Sequence, residues 1–130
     1  YFAVSDVRKV QVEGLDGLAY IDTADGWAIR QQAGPLHFGA ETDRIYLDTP
    51  AQLHIVDNDW QRRVRLSSEG SHSTVIWNPW TERAKAFDDM ADDGWQGMLC
   101  IETANVLDDV VALAPGESHT LGVSITSSAL

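Results

Sequence analysis

The stretch Gly94-Trp95-Gln96-Gly97-Met98-Leu99-Cys100-Ile101-Glu102-Thr103-Ala104-Asn105 decides how the rest of the chain is read. Four apolar residues, Met98 to Ile101, are bounded by glycine on one side and polar residues on the other, the pattern of a buried strand. That strand delivers one carboxylate, Glu102, at its end. A glutamate in this position either leaves the sheet into solvent or is held in a cleft, where desolvation and neighbouring charge tune it toward general-base work. The residues alone leave both readings open.

Outward from this strand, short segments of alternating or β-branched character recur between turn signals. Tyr1–Val4 and Val7–Val12 read as strands, followed by a turn at Gly14, Asp16 and Gly17. Leu18–Asp22 and Trp27–Arg30 flank the hairpin signal Asp25-Gly26. Glu41–Asp48 closes at Thr49-Pro50, and Gln52–Val56 leads into the turn Asp57-Asn58-Asp59. In Arg62–Leu66 basic residues alternate with apolar ones, as on the solvated face of a half-exposed strand, and this face is preferred to an anion site. Ser67–Ser73 reads as a loop, Ser73–Trp77 as a strand, and Thr81 to about Met90 as a helix. Val110–Leu113 and His119–Ile125 complete the set, the last with the clearest alternation. Roughly ten strands and one short helix predict an all-β antiparallel sandwich forming a single domain over residues 1–130.

The composition narrows the function. Twenty acidic against nine basic side chains give a formal charge of -11, which repels nucleic acid and anionic membrane surfaces alike. Small molecules and proteins remain as partners. No apolar run approaches the ~18 residues of a membrane helix. With its single cysteine, Cys100, set inside an apolar run, the chain is expected to be soluble and cytoplasmic. It opens at Tyr1 without methionine or polar lead-in, so it is expected to be a piece of a longer polypeptide.

Among candidate chemistries, His37, His54, His72 and His119 fall on separate segments with no ligand spacing, and no metal site is predicted. No serine occupies a strand-to-helix elbow, and Cys100 is not placed as a nucleophile. Two carboxylates, Asp43 and Glu102, border strands rather than turns, close to Thr42 and Asn105. Trp77, Trp80 and Trp95 lie near strand ends. Carboxylates framed by tryptophans suit a sugar, whose hydroxyls are held by the one and whose C–H face is covered by the other. Tryptophans filling a sandwich core account for the same composition equally well.

Three motifs carry a resemblance. Glu41-Thr42-Asp43-Arg44-Ile45-Tyr46, Val75-Ile76-Trp77-Asn78-Pro79-Trp80 and Gly97-Met98-Leu99-Cys100-Ile101-Glu102, in this order, resemble the glucose-6-phosphate 1-epimerase branch of the aldose 1-epimerase family. The opening Tyr1-Phe2 with Asp6-Val7 is similar to the strand following that family's His-Thr-Tyr-Phe motif. The resemblance implies the C-terminal half of a galactose-mutarotase-like β-supersandwich that interconverts the α and β anomers of a hexose 6-phosphate without metal or organic cofactor. By position, Glu102 matches the general base at the anomeric hydroxyl, Asp43 a holder of ring hydroxyls, and Trp77 a substrate contact.

The family's general acid is the motif's histidine, two residues ahead of Tyr1, so the chain alone is expected to be inactive and to need its N-terminal half as partner. The arginines for the phosphate are expected mostly from that half as well. Edges left open where the sandwich is cut are expected to promote association. The competing reading is a non-catalytic sugar-binding sandwich, and an inverting glycosidase is a weaker third.

Overall fold

The computed structural model describes residues 1–130 as two antiparallel sheets packed face to face. Eleven strands occur in chain order: β1 (Phe2–Ala3), β2 (Gln11–Glu13), β3 (Ala19–Asp22), β4 (Ala28–Gln31), β5 (Leu36–His37), β6 (Thr42–Tyr46), β7 (Gln52–Asp57), β8 (Arg62–Glu69), β9 (Ser73–Asn78), β10 (Met98–Ala104) and β11 (Gly122–Ala129). One sheet has the order β1-β10-β9-β6-β3-β4 and the other β11-β8-β7-β2-β5. The only α-helix, α1 (Trp80–Ala84), is followed by a 3₁₀ turn at Gly94–Gly97 that feeds β10.

Period-two alternation decides which side of each strand meets the core. Leu99 and Ile101 of β10, Ile76 of β9, Tyr46 of β6 and Tyr20 of β3 face inward and join Val12, Ile55, Val64 and Leu66 of the second sheet in one hydrophobic cluster. Val7 and Val10 are fully buried too, yet β2 begins only at Gln11. Asp6 is the reason: its carbonyl accepts from the Lys9 amide at 2.9 Å and its carboxylate from the Arg8 amide at 2.9 Å, so residues 6–9 form a turn instead of the predicted strand.

Other predicted boundaries move for local reasons. β8 continues through Ser67 to Glu69, because its full length pairs with β11 from Arg62↔Ala129 to Glu69↔Gly122. The turn that follows is closed at Gly70, whose φ of +70° and close approach to the Thr120 carbonyl exclude a side chain. The predicted helix to Met90 ends at Ala84, and residues 85–93 instead form a strap. Val110–Leu113 is not a strand. A 3₁₀ turn at Leu107–Asp109 precedes it, and Val110, Val111 and Leu113 are exposed. β11 itself pairs with β8 alone, leaving Val123 and Ile125 about half exposed despite their alternation.

Two buried polar groups tie these elements together. Asp57, fully buried, accepts from the Ser5 amide at 2.9 Å, the Ser5 hydroxyl at 2.6 Å and the Trp60 amide at 3.2 Å, joining the end of β7 to the segment after β1. Burial opposes its ionisation, but the Ser5 and Trp60 donors and Arg62 outweigh it and hold the Asp57 carboxyl below the usual range. Asn78 is likewise fully buried: its amide nitrogen donates to the Trp95 carbonyl at 2.8 Å and the Met98 carbonyl at 2.9 Å, and its side-chain oxygen accepts from the Trp80 amide at 2.9 Å.

An Asn78→Ala substitution strands those three backbone groups, so it should lower the free energy of unfolding in urea by about 3 kcal/mol. A surface substitution such as Glu41→Ala should stay within about 0.5 kcal/mol.

Candidate functional site

The face of the six-stranded sheet turned away from the core gathers the residues singled out above. Cross-strand register places Cys100 opposite Trp77 and Trp77 opposite Asp43, forming one row. The next row begins at Glu102 and continues through Val75, Ile45 and Ile21 to Ile29. Glu102 and Asp43 thus lie on either side of the Trp77 strand, about 12 Å apart at their α-carbons by strand spacing and rise. A ligand lying above Trp77 can therefore meet one carboxylate at each side.

Glu102 is not at a strand exit. β10 runs on to Ala104, and the side chain is exposed on the open face, where it accepts from the Cys100 thiol at 3.4 Å. Asp43 is half-buried near the start of β6. Its backbone carbonyl accepts from the Thr23 amide at 2.9 Å and hydroxyl at 3.0 Å, while no protein donor is bonded to its carboxylate. Both carboxylates therefore retain free lone pairs for a ligand's hydroxyls.

Around Trp77 lies a cavity of about 230 Å³ lined by Tyr1, Trp77, Phe87, Asp89 and Met90. Trp77 meets Tyr1 edge-on at a centroid distance of 6.2 Å and Phe87 at 5.9 Å, so the three rings form two sides of an aromatic corner. β1 pairs with β10 at Phe2↔Leu99, and the next step of that register brings Tyr1 beside Cys100. The Tyr1 phenol is correspondingly raised above its ordinary value by Cys100, then by burial and by the Glu102 and Asp89 carboxylates. Phe87, Asp89 and Met90 come from the strap after α1 and Tyr1 from the sheet edge. Their residue types fit a sugar-binding corner, but nothing in their sequence spacing points to one.

Of the three candidate tryptophans, only Trp77 belongs to this face. Trp80 and Trp95 pack against each other with centroids 4.4 Å apart and planes tilted by 43°, Trp95 buried in the core and covered by the Arg8 guanidinium. Thr42 and Asn105 are also spent elsewhere: the Thr42 hydroxyl donates to the Ala40 carbonyl at 3.1 Å, and the Asn105 amide to the Gly70 carbonyl at 2.9 Å. No histidine lines the cavity. His119 contacts Gly70 and Asn105, His54 lies on the other sheet, and the His72 amide is held by Asp109. No three His, Cys, Asp or Glu residues are grouped to hold a metal ion.

The chain is thus a β-sandwich whose open sheet face carries two carboxylates and an aromatic corner. The chain belongs to the aldose 1-epimerase family, whose profile matches residues 1–126. Its similarity to a Cenchrus ciliaris protein provisionally named glucose-6-phosphate 1-epimerase is 36% identity over 118 residues, 90% of this chain and 36% of that protein. A Haemophilus influenzae protein of the same provisional name is 30% identical over 128 residues, 96% of this chain and 43% of that one. Among solved structures, a Salmonella typhimurium protein, YeaD, described provisionally as a mutarotase, superposes with a TM-score of 0.82 at 26% identity, covering 99% of this chain and 43% of that one. HI1317 superposes at a TM-score of 0.78 and 28% identity. The fold is thus the mutarotase-like β-sandwich, and the chain spans less than half the length of these relatives.

Burial, with the Glu102 carboxylate beside it, pushes the Cys100 thiol up to about 12 from its ordinary 9.0. The stabilisation that accompanies a raised value is whole below about pH 9 and lost as pH rises toward 12. Cys100 should therefore resist a thiol reagent at about pH 8 in the folded protein and react only after denaturation, as mass spectrometry would show. Rapid labelling under native conditions would mean that the thiol beside Glu102 is ionised.

Proposed function

We propose that this chain supplies the general base and one sugar-binding face of a mutarotase that interconverts the anomers of a hexose 6-phosphate. The observation that carries the reading is the placement of Glu102, exposed in mid-strand, one row from Trp77 and across that strand from Asp43. In this reading the ring lies against Trp77, Asp43 accepts from its hydroxyls, and Glu102 takes the proton from the anomeric O1 hydroxyl. The C1–O5 bond then breaks as O5 is protonated, giving the open-chain aldehyde. Rotation about C1–C2 and closure on the other face return the opposite anomer.

Protonation of O5 needs a second group, and no histidine of this chain faces the cavity. The β1–β10 register supports a source for it. Two steps before Tyr1, an extended strand would lie opposite Glu102 and on the same face, the position of the histidine in the His-Thr-Tyr-Phe motif. We therefore assign the acid, and most of the phosphate-binding cations, to residues outside this chain, making it the C-terminal part of the catalytic unit. A reducing, cytoplasmic setting fits the single free thiol beside the base.

In the complete protein, Glu102→Gln should slow exchange of α-glucose 6-phosphate, followed by NMR, by roughly 100- to 10,000-fold with little change in KM, since the amide keeps the shape and loses the base. Trp77→Ala should instead raise KM by about tenfold, reflecting lost ring contact in ground and transition states alike. Unchanged exchange by the Glu102→Gln protein would remove the base from this strand. Saturable sugar binding by the wild-type protein without any acceleration of exchange would favour a non-catalytic sugar-binding sandwich.

A further inference from the structure

The outer face of the five-stranded sheet carries a feature unrelated to the Glu102 face. Seven of the nine lysines and arginines lie within 4.0 Å of a carboxylate, as a strongly acidic chain should arrange them. Arg65 and Arg83 are the two that do not. Arg65 projects from the middle of β8, where Val64 and Leu66 on either side of it are buried in the core and fix its side chain outward. Register sets it between His54 of β7 and Thr126 of β11, while Arg63, one pair along, faces Ser128.

These side chains border a recess of about 440 Å³ lined by His54, Arg63, Arg65, Thr126, Ser127 and Ser128, with no hydrophobic residue and no carboxylate in its wall. Glu13, the cross-strand neighbour of His54, is already engaged by Arg63 at 3.4 Å. Every side chain in the wall can donate a hydrogen bond, and two are permanent cations. From sequence alone this arginine strand read as a solvated face. What changes the reading is β11, which pairs along the whole length of β8 and sets Ser128 against Arg63 and Thr126 against Arg65.

We propose that this groove is an anion site for a phosphate group, with Arg65 as its central ligand, Arg63 and His54 flanking it, and the Thr126 and Ser128 hydroxyls donating to the remaining oxygens. A guanidinium matches a phosphate bidentately, and neighbouring hydroxyls complete the oxygens' hydrogen bonding without adding charge. The groove and Glu102 are on the outward faces of opposite sheets, so an anion held here does not enter the proposed reaction. It acts as a separate binding site, for free phosphate or for the phosphate of an ester.

The test is a titration of the complete, isotopically labelled protein with inorganic phosphate at fixed ionic strength, followed by amide shifts in NMR. Saturable shifts centred on residues 63–67 and 126–128 are expected, weakened about tenfold by Arg65→Ala through loss of one charge-assisted ligand, partly restored by Arg65→Lys, and unchanged by Arg83→Ala. Shifts that do not saturate, that ignore Arg65→Ala, or that fall only around Glu102 would overturn the site. Parallel titrations with glucose 6-phosphate and glucose identify the source. Equal affinity for phosphate and ester supports recognition of the phosphate alone, tighter binding of the ester supports a sugar phosphate, and binding of glucose as strong as either overturns an anion site. Glu102→Gln should leave all of these shifts intact, so this site and the mutarotase reading stand or fall separately.

Discussion

Asn78 is the constraint on which the geometry of the open face depends. Without water to replace a partner, a buried side-chain amide is stable only when its hydrogen bonds are made within the protein. Asn78 makes its own with three backbone groups: the Trp80 amide where α1 begins, the Trp95 carbonyl in the 3₁₀ turn, and the Met98 carbonyl where β10 starts. It thereby sets the point at which the chain leaves β9 and the point at which it returns as β10. A slip of one residue between those strands would turn Glu102 and Cys100 into the core and Leu99 and Ile101 into solvent. The same clamp anchors both ends of the strap that carries Phe87, Asp89 and Met90 to the cavity.

Stability and chemistry share strands but not faces. On β10, Leu99 and Ile101 lie in the hydrophobic cluster, while Cys100 and Glu102 point the other way. On β9 the division falls between Ile76 and Trp77, and on β6 between Tyr46 and Asp43. The core therefore fixes the backbone beneath the open face, and the outward side chains of that face can be changed at little cost in packing. The second sheet repeats the division, with Val64 and Leu66 inward and Arg63 and Arg65 outward.

Much of this was legible in the sequence wherever an element obeys its own local pattern. The hairpin at Asp25-Gly26, the strands containing Trp77 and Glu102, and the sandwich class all follow from alternation and turn chemistry. Glu102, Asp43 and Trp77 share one open face. What the pattern missed depends on contacts distant in sequence. The strand expected over Val7–Val12 is cut short by the turn that Asp6 makes. The extension of β8 depends on β11, some 50 residues later in the chain. Trp80 and Trp95 differ from Trp77 only in packing, which composition does not report. Tyr1, Phe87 and Asp89 reach the cavity from a sheet edge and a strap whose sequences carry no periodic signal.

The central claim, that the outward face around Trp77 binds the sugar with Glu102 at its anomeric carbon, is tested most directly by a crystal structure of the complete protein with a bound hexose 6-phosphate. The account predicts the ring against Trp77, a Glu102 carboxylate oxygen within hydrogen-bonding distance of O1, and Asp43 accepting from a ring hydroxyl. A sugar bound elsewhere, or bound with Glu102 turned from its anomeric carbon, would contradict it.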